Sequence, residues 1–331
     1  MDLVPARLGE VLAEGWGVRA ALMEYVPEGG GSHHWKVVDQ RKQTHFVTVD
    51  DLDNKDWMAN TREPVFHGLG RALRTAATLR DEAGLEFVVA PVPAHDGDLL
   101  HRVDGRYTVS VYPFLAGRSY PFGPYTDARL RDRALDMVIA LHQATPAVRG
   151  GAPPHTPRFA GRRDLDAFLA DPGRPWNAGP YSEPARQSLV SHTADLVQLV
   201  ADFDRLVEST APAREHLVIT HGEPHPANLM SVEGRLFLID WDTAALAPPE
   251  RDLSLIATTP SDGLDRYQQA SGLEVDPHVI TLYRLRWYLD DVASAVRLFR
   301  NGHHDTVDTR RWWDGLAPRL EQLPRWLGVL G

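Results

Sequence analysis

Short apolar runs separated by turn residues occupy the first third of the chain, a pattern typical of β-strands. Five runs of this kind lie at residues 21–26, 35–38, 45–49, 87–89 and 107–111. Between the third and the fourth run, apolar residues recur at helical spacing from 67 to 83 and end at Gly84, a residue type common just after a helix. The pattern therefore predicts the order β-β-β-α-β-β.

From residue 127 onward the apolar positions take on helical spacing. Helices are predicted at residues 130–145, 165–170 and 182–207, and again from 253 to the C-terminus. Two compact apolar runs, 217–219 and 236–239, interrupt the helices as strands, and we expect the turn at Glu233 and Gly234 to join them into a hairpin. The change of pattern indicates a β-rich part and a larger, mainly helical part, with their boundary near residues 113–117.

The composition fits a globular protein and excludes several classes of function. The chain has 331 residues, of which 43% are hydrophobic and 24% charged, and its formal net charge of −10 argues against a nucleic-acid binder. The absence of cysteine excludes disulfide frameworks, thiolate metal sites and a cysteine nucleophile, and it suits a reducing compartment. No segment has the pattern of a signal peptide or a spanning helix. We therefore expect a cytoplasmic protein with no nucleic-acid or membrane partner.

The densest group of polar residues follows the two strands of the helical part. The segment from His221 to Asn228 comes after the first strand, and Asp240 and Asp242 come after the second. Oxygen ligands and a carboxylate base at one edge of a hairpin suit Mg²⁺ and a phosphoryl group. Upstream, the segment from Gly29 to Ser32 lies between two predicted strands, where glycines allow backbone N–H groups to approach phosphates closely.

Other interpretations of these polar residues are open. His221 and His225 have the spacing of a zinc-binding pair on one helix face. Pro224 and Pro226 exclude a regular helix there, which favours a structural role for His221. Asp242 lies either beside a metal site or on the surface.

The same segments give the chain a resemblance to the aminoglycoside phosphotransferase family, small-molecule kinases with the bilobal protein-kinase-like fold. The resemblance covers nearly the whole chain: Gly29 to Ser32 match the phosphate-covering loop, residues 113–117 the hinge, residues 221–228 the catalytic loop and Asp240 the end of the metal-binding strand. It implies an α+β fold with a nucleotide-binding lobe at 1–112, a hinge at 113–117 and a lobe for catalysis and substrate binding at 118–331.

The resemblance also implies roles for individual residues. Glu223 accepts the proton of the substrate hydroxyl or orients it, while Asn228 and Asp240 hold magnesium against the nucleotide phosphates. Asp252, at the start of a predicted helix, is either an ordinary helix cap or a brace for the catalytic loop. Binding of ATP or GTP falls to the loop, a lysine and the hinge: Gly29, Gly30, Gly31, Ser32, Lys36, Pro113 and Leu115.

Two positions depart from the family pattern. Glu223 stands where the family has Asp, and its extra methylene moves the carboxylate by roughly an ångström or more. Thr48 stands in the third strand, where the family has a lysine that pairs with the α- and β-phosphates. The chain has 32 arginines but only three lysines, Lys36, Lys42 and Lys55. These three lysines are the candidates to replace the missing one, and Lys36 is preferred because it lies on the strand that directly follows the glycine loop. The alternative is that all three are ordinary surface lysines in a chain that favours arginine.

We expect the acceptor to be a small cationic molecule with a hydroxyl group, such as an aminoglycoside-like or other antibiotic, which implies resistance or self-protection. Carboxylates make strong charge-assisted hydrogen bonds to cations, and the candidates are Asp262, Asp265, Asp290 and Asp291. Two alternatives are a metabolic kinase of the same fold, with a choline-like or sugar acceptor, and a catalytically degenerate nucleotide-binding protein. Both a monomer and a homodimer are compatible with the sequence.

Overall fold

The computed structural model describes residues 5–27, 32–210, 216–256, 262–323 and 325–326. The chain forms two compact units, one of Met1–His155 with Ala213–Val275 and one of Thr156–Pro212 with Asp276–Gly331. The first unit contains both the β-rich part and the candidate catalytic segments, so the predicted division into lobes at residues 113–117 stays a prediction. Among the described helices, none combines the length and the apolar character needed to cross a membrane.

A five-stranded antiparallel sheet forms the N-terminal part of the first unit. Its strands are β1 (Ala20–Val26), β2 (Ser32–Asp39), β3 (Thr44–Asp51), β4 (His101–Val103) and β5 (Tyr107–Pro113), in the order β1-β2-β3-β5-β4. Four of the five predicted strands are thus confirmed. The run at 87–89 is wrong as a strand, because it makes only a single bridge between Val88 and Leu238. The sequence pattern missed β4, whose three residues include the polar His101 and Arg102.

The two faces of this sheet differ in polarity because successive strand residues point to opposite sides. Buried valines of β2, β3 and β5 form one hydrophobic cluster with helix α1 (Pro5–Trp16). The opposite face carries His34, Lys36 and Thr48, and His34 pairs directly with Thr48 across β2 and β3. Helix α2 (Arg62–Asp81) follows β3 and confirms the helix predicted at 67–83.

Two smaller sheets lie in the other half of the first unit. Strand β6 (Arg118–Ser119) joins the hairpin of β8 (Leu229–Val232) and β9 (Arg235–Leu238), while β7 (Val218–Thr220) pairs with β10 (Ala245–Ala247). Glu233 and Gly234 form the hairpin turn, both with positive φ. The predicted hairpin joined the runs at 217–219 and 236–239. Its first strand is wrong, because β8 and not β7 pairs with β9. The pattern hid β8, because this strand follows the catalytic segment with no turn residues between them.

Helices make up the rest of both units. In the first unit these are α3 (Ala128–Gln143), α4 (Thr145–Val148), α8 (Glu250–Ile256) and α9 (Leu264–Ser271). The second unit contains α5 (Arg162–Ala170), α6 (Ser182–Val190), α7 (Thr193–Ser209), α10 (Pro277–Arg300) and α11 (Val307–Leu320). Helix α10 packs against the other four around a large apolar core.

The single helix predicted at 182–207 is divided into α6 and α7. The hydroxyl groups of Ser188, Ser191 and Thr193 donate to backbone carbonyls three or four residues earlier in the chain. Such local bonds compete with the regular helical pattern, which explains a break that apolar spacing does not reveal.

Candidate active site

His221 is the central support of the candidate catalytic loop. Its buried imidazole donates from Nε2 to the carbonyl of Ile239 over 2.9 Å, and the Glu223 N–H donates to its Nδ1 over 3.2 Å. An imidazole that accepts at Nδ1 is neutral, in agreement with burial, which lowers the pKa of His221 to about 4. Because both ring nitrogens are engaged, the structural interpretation of His221 replaces the zinc hypothesis.

Asp252 fixes the backbone on which His221 lies. Its carboxylate accepts the N–H of His221 over 2.9 Å and the N–H of Gly222 over 2.6 Å. The same carboxylate contacts Nε2 of His142 over 3.1 Å, and Tyr267 contacts the other nitrogen of that ring. Burial alone would raise the pKa of Asp252, but the bond from His142 and the nearby positive charge hold it below its ordinary value. Asp252 is thus a brace for the catalytic loop.

We expect Gly222→Ala to lower the free energy of unfolding by about 2 kcal/mol or more. Gly222 has a φ of +98°, and an added Cβ would lie 2.2 Å from the guanidinium of Arg251. That guanidinium cannot yield easily, because it donates to Thr220 over 2.7 Å and to the carbonyl of Thr243 over 2.9 Å. Urea unfolding measures the effect. Gly234→Ala is the matched control, since Gly234 has a φ of +80° but open space around it; equal losses would contradict the packing argument.

We expect the protein to lose stability as the pH falls from about 6.5 to about 4. Burial lowers the pKa of His221 and of His225 to about 4, whereas both side chains titrate near 6.5 in an unfolded chain. Between these values the unfolded chain binds more protons, so the free energy of unfolding decreases with falling pH. Urea unfolding at several pH values in this window measures the effect. With falling pH, the free energy of unfolding should decrease less for His225→Gln than for the wild type or for the exposed-site control His278→Gln. The same pH dependence of the free energy of unfolding in all three proteins would contradict this prediction.

Asn228 and Asp240 are tied together at the end of the catalytic hairpin. The amide nitrogen Nδ2 of Asn228 donates to the carbonyl of Glu223 over 2.9 Å, which leaves Oδ1 as the end available to a metal. The Ile239 N–H donates to the carbonyl of Asn228 over 3.0 Å, immediately before Asp240. Asp240 itself has a φ of +67°, so the chain turns sharply there.

The electrostatics of this end favour a cation. Removal from bulk water raises the pKa of Asp240 well above its ordinary range, and the charges of Asp242, Glu223 and Asp50 raise it further. Among the described residues no three His, Asp or Glu converge into a complete metal cage. A Mg²⁺ ion needs only one or two protein oxygens when substrate phosphates supply others, and Asn228 with Asp240 fits that requirement.

The predicted nucleotide-binding residues are only partly described. Gly29, Gly30 and Gly31 lie outside the described residues, whereas Ser32 begins β2 and donates from Oγ to Asp50 over 2.5 Å. Lys36 places Nζ 5.2 Å from the ring centre of Phe114.

The hinge residues also have definite surroundings. Pro113 ends β5, and the carbonyl of Leu115 accepts from Gly117 over 2.9 Å. Together with Val89 and Phe237, Pro113 and Leu115 line a cavity of about 390 Å³. Nucleotide binding by Ser32, Lys36, Pro113 and Leu115 stays a prediction.

Lys55 belongs to the same site, although the sequence favoured Lys36 among the three lysines. Its side chain is buried, with Nζ 2.9 Å from Asp50 and 2.5 Å from Asp242. Burial opposes a charge on Lys55, but the two carboxylates raise its pKa above the ordinary value, so it carries a positive charge. The scarcity of lysine was the available signal. Lys55 was overlooked because it lies outside the third strand, after a short 3₁₀ turn at Leu52–Asn54.

The four predicted acceptor carboxylates lie in different surroundings. Asp262 is 3.1 Å from Arg131, and Asp291 is 2.9 Å from Arg319. Asp290 accepts the N–H of Ala160 and pairs with Arg286 over 3.1 Å. Asp265 is exposed in the first turn of α9. The ion pairs give three of these residues a structural role, and substrate binding by all four stays a prediction.

Known proteins share both the sequence pattern and the fold. The model of the phosphotransferase enzyme family matches residues 39–288. Protein StrN of Streptomyces griseus is 28% identical over 256 residues, which are 74% of this chain and 75% of StrN. A spectinomycin phosphotransferase solved with ADP and spectinomycin has a TM-score of 0.71 at 15% identity and covers 98% of this chain and 99% of its own. A microcompartment-associated aminopropanol kinase has a TM-score of 0.62 at 17% identity, with 98% of each chain covered.

These likenesses confirm the predicted kinase-like α+β fold. The family match spans most of the chain and includes β3, the catalytic loop and Asp240. The chain therefore belongs to the phosphotransferase enzyme family, as its resemblance to aminoglycoside phosphotransferases predicted.

Proposed function

We propose that the protein transfers the γ-phosphoryl group of ATP to a hydroxyl group of a small cationic antibiotic. The observation that carries this proposal is the arrangement of Glu223, Asn228 and Asp240 on one hydrogen-bonded frame around His221. One comparison supports the substrate class: the structural neighbour solved with ADP and spectinomycin.

The chemistry follows from the positions of these groups. A bond forms between the acceptor oxygen and the γ-phosphorus, the bond from that phosphorus to the oxygen of ADP breaks, and the hydroxyl proton passes to Glu223. Glu223 orients the acceptor hydroxyl, since its backbone is held on both sides while its side chain is half-buried. Asn228 and Asp240 would hold Mg²⁺, which neutralises phosphate charge when bound.

The surroundings of the site argue against a degenerate nucleotide-binding protein. Asp252 holds the N–H groups of His221 and Gly222 in the loop, and the buried Lys55 supplies positive charge beside Asp242. Pre-organised charge and positioning are what phosphoryl transfer requires of a protein. The net charge of −10 favours a cationic acceptor over an anionic one.

The test is a screen for phosphorylated products. The protein is incubated with ATP and Mg²⁺ and a panel that includes spectinomycin, other aminoglycosides, choline, amino alcohols and sugars. Mass spectrometry should detect the gain of one phosphate group on an antibiotic, and Asp240→Asn should abolish that gain. Phosphorylation of a metabolite and of no antibiotic would show that the acceptor is a metabolite. Binding of ATP with no transfer to any compound would refute the proposed activity.

A further inference from the structure

We infer that Lys55 supplies the positive charge that contacts the nucleotide phosphates, and that Asp242 holds this lysine rather than the metal. The inference deepens the proposed function and rests on its nucleotide dependence. It assigns to a turn residue the role that the family gives to a lysine within the third strand, where this chain has Thr48.

The position of Lys55 between two parts of the site is the first argument. On one side its Nζ contacts Asp50, whose Oδ1 also accepts from Ser32, the residue directly after the glycine-rich segment. On the other side its Nζ contacts Asp242, two residues beyond Asp240. The ammonium group therefore lies between the base of the predicted phosphate loop and the predicted metal ligand.

The geometry of β3 is the second argument. Asp50 is two residues beyond Thr48, and residues two apart point to the same face of a strand. By pairing with Asp50, Lys55 brings an ammonium group to the face on which Thr48 lies. Thr48 itself contacts Nδ1 of His34 over 3.2 Å.

The hydrogen-bonding capacity of the ammonium group is the third argument. A lysine has three N–H donors, and Asp50 and Asp242 account for two of them in the described part of the chain. A phosphate oxygen can accept from the third donor without breaking either ion pair. The other two lysines are placed differently: Lys36 lies against Phe114, and Lys42 is exposed in the turn after β2.

The ion pair also gives Asp242 a role that neither earlier interpretation named. Its Oδ2 is 2.5 Å from Nζ of Lys55, so this carboxylate is committed to a cation that the protein supplies itself. Asp240 has no such partner among the described residues, and its charge is left to a metal. The two aspartates that flank Trp241 thus have separate tasks.

The experiment compares nucleotides that differ in phosphate content. Calorimetry on the full chain without added metal measures the affinity of adenosine and of ADP for the wild type, for Lys55→Met and for the exposed-site control Lys42→Met. We expect Lys55→Met to lower the affinity for ADP at least tenfold and the affinity for adenosine less than twofold. Lys42→Met should change the affinity of neither ligand more than about threefold.

A second variant guards against loss of folding, because Lys55→Met leaves two carboxylates without their cation. Lys55→Arg keeps the charge, and we expect it to retain folding, confirmed by thermal unfolding, with an ADP affinity between those of the wild type and Lys55→Met. Equal affinity of wild type and a folded Lys55→Met for ADP would overturn the inference, as would an equal loss for adenosine and ADP. Failure of the wild type to bind ADP or ATP would instead refute the proposed function, and the inference with it.

Discussion

Asp240→Asn will lower phosphoryl transfer by about 10³-fold or more while the protein remains folded. The substitution keeps the shape of the side chain but removes the charge that, in the proposed mechanism, would hold a divalent cation. Such a cation supplies several kcal/mol of transition-state stabilisation when bound. Asn also tolerates the positive φ of this position better than Ala does. Steady-state turnover over a range of Mg²⁺ concentrations measures the loss.

The same variant should unfold at a temperature equal to or higher than that of the wild type. The charges around Asp240 raise its pKa, which means that its ionised form is unfavourable in the metal-free fold at neutral pH. Asp242→Asn is the matched control: it breaks an ion pair with Lys55 and should therefore lower the unfolding temperature. Full turnover of Asp240→Asn, together with loss of turnover in Asp242→Asn, would move the metal to Asp242.

The sequence predicted the parts of the site that are contiguous in the chain. Glu223 and Asn228 lie in one short segment, and Asp240 follows the apolar run of β9, so spacing alone was enough to group them. The strands β1, β2 and β3 were likewise visible, because each contains a short apolar run bounded by turn residues.

The parts of the site that depend on contacts between residues far apart in the chain could not be predicted from the sequence. Lys55 and Asp242 are 187 residues apart, and only the folded chain brings a turn after β3 against the end of the hairpin. His142 contacts Asp252 from 110 residues away, which no local pattern records. The sequence pattern also missed the strands β4 and β8. They have three and four residues, too few to establish a period.

Glu223→Gln should lower turnover by about 10²- to 10⁴-fold and leave nucleotide affinity nearly unchanged. Gln is almost isosteric with Glu but cannot take the proton of the acceptor hydroxyl, and general-base catalysis contributes about this much. The backbone bonds of residue 223 to His221 and Asn228 do not involve the side chain, so the loop keeps its shape. Steady-state kinetics and calorimetry measure the two effects. Wild-type turnover in this variant would remove Glu223 from the mechanism.

Glu223→Asp tests whether the loop is adapted to the longer side chain, and we expect a loss of turnover. The backbone of residue 223 is held by the bond from its N–H to His221 and by the bond from Asn228 to its carbonyl. The next residue, Pro224, has its carbonyl held by the hydroxyl of Tyr125 over 2.6 Å. A backbone fixed at three successive points cannot advance to compensate for a side chain shorter by one methylene. The carboxylate is therefore withdrawn by roughly an ångström, a displacement that costs about 10²-fold in a positioned reaction.

Tyr125→Phe frees the Pro224 carbonyl, so the double variant Tyr125→Phe/Glu223→Asp should recover part of the turnover that Glu223→Asp loses. Higher turnover in Glu223→Asp than in the wild type would show that the loop merely tolerates glutamate.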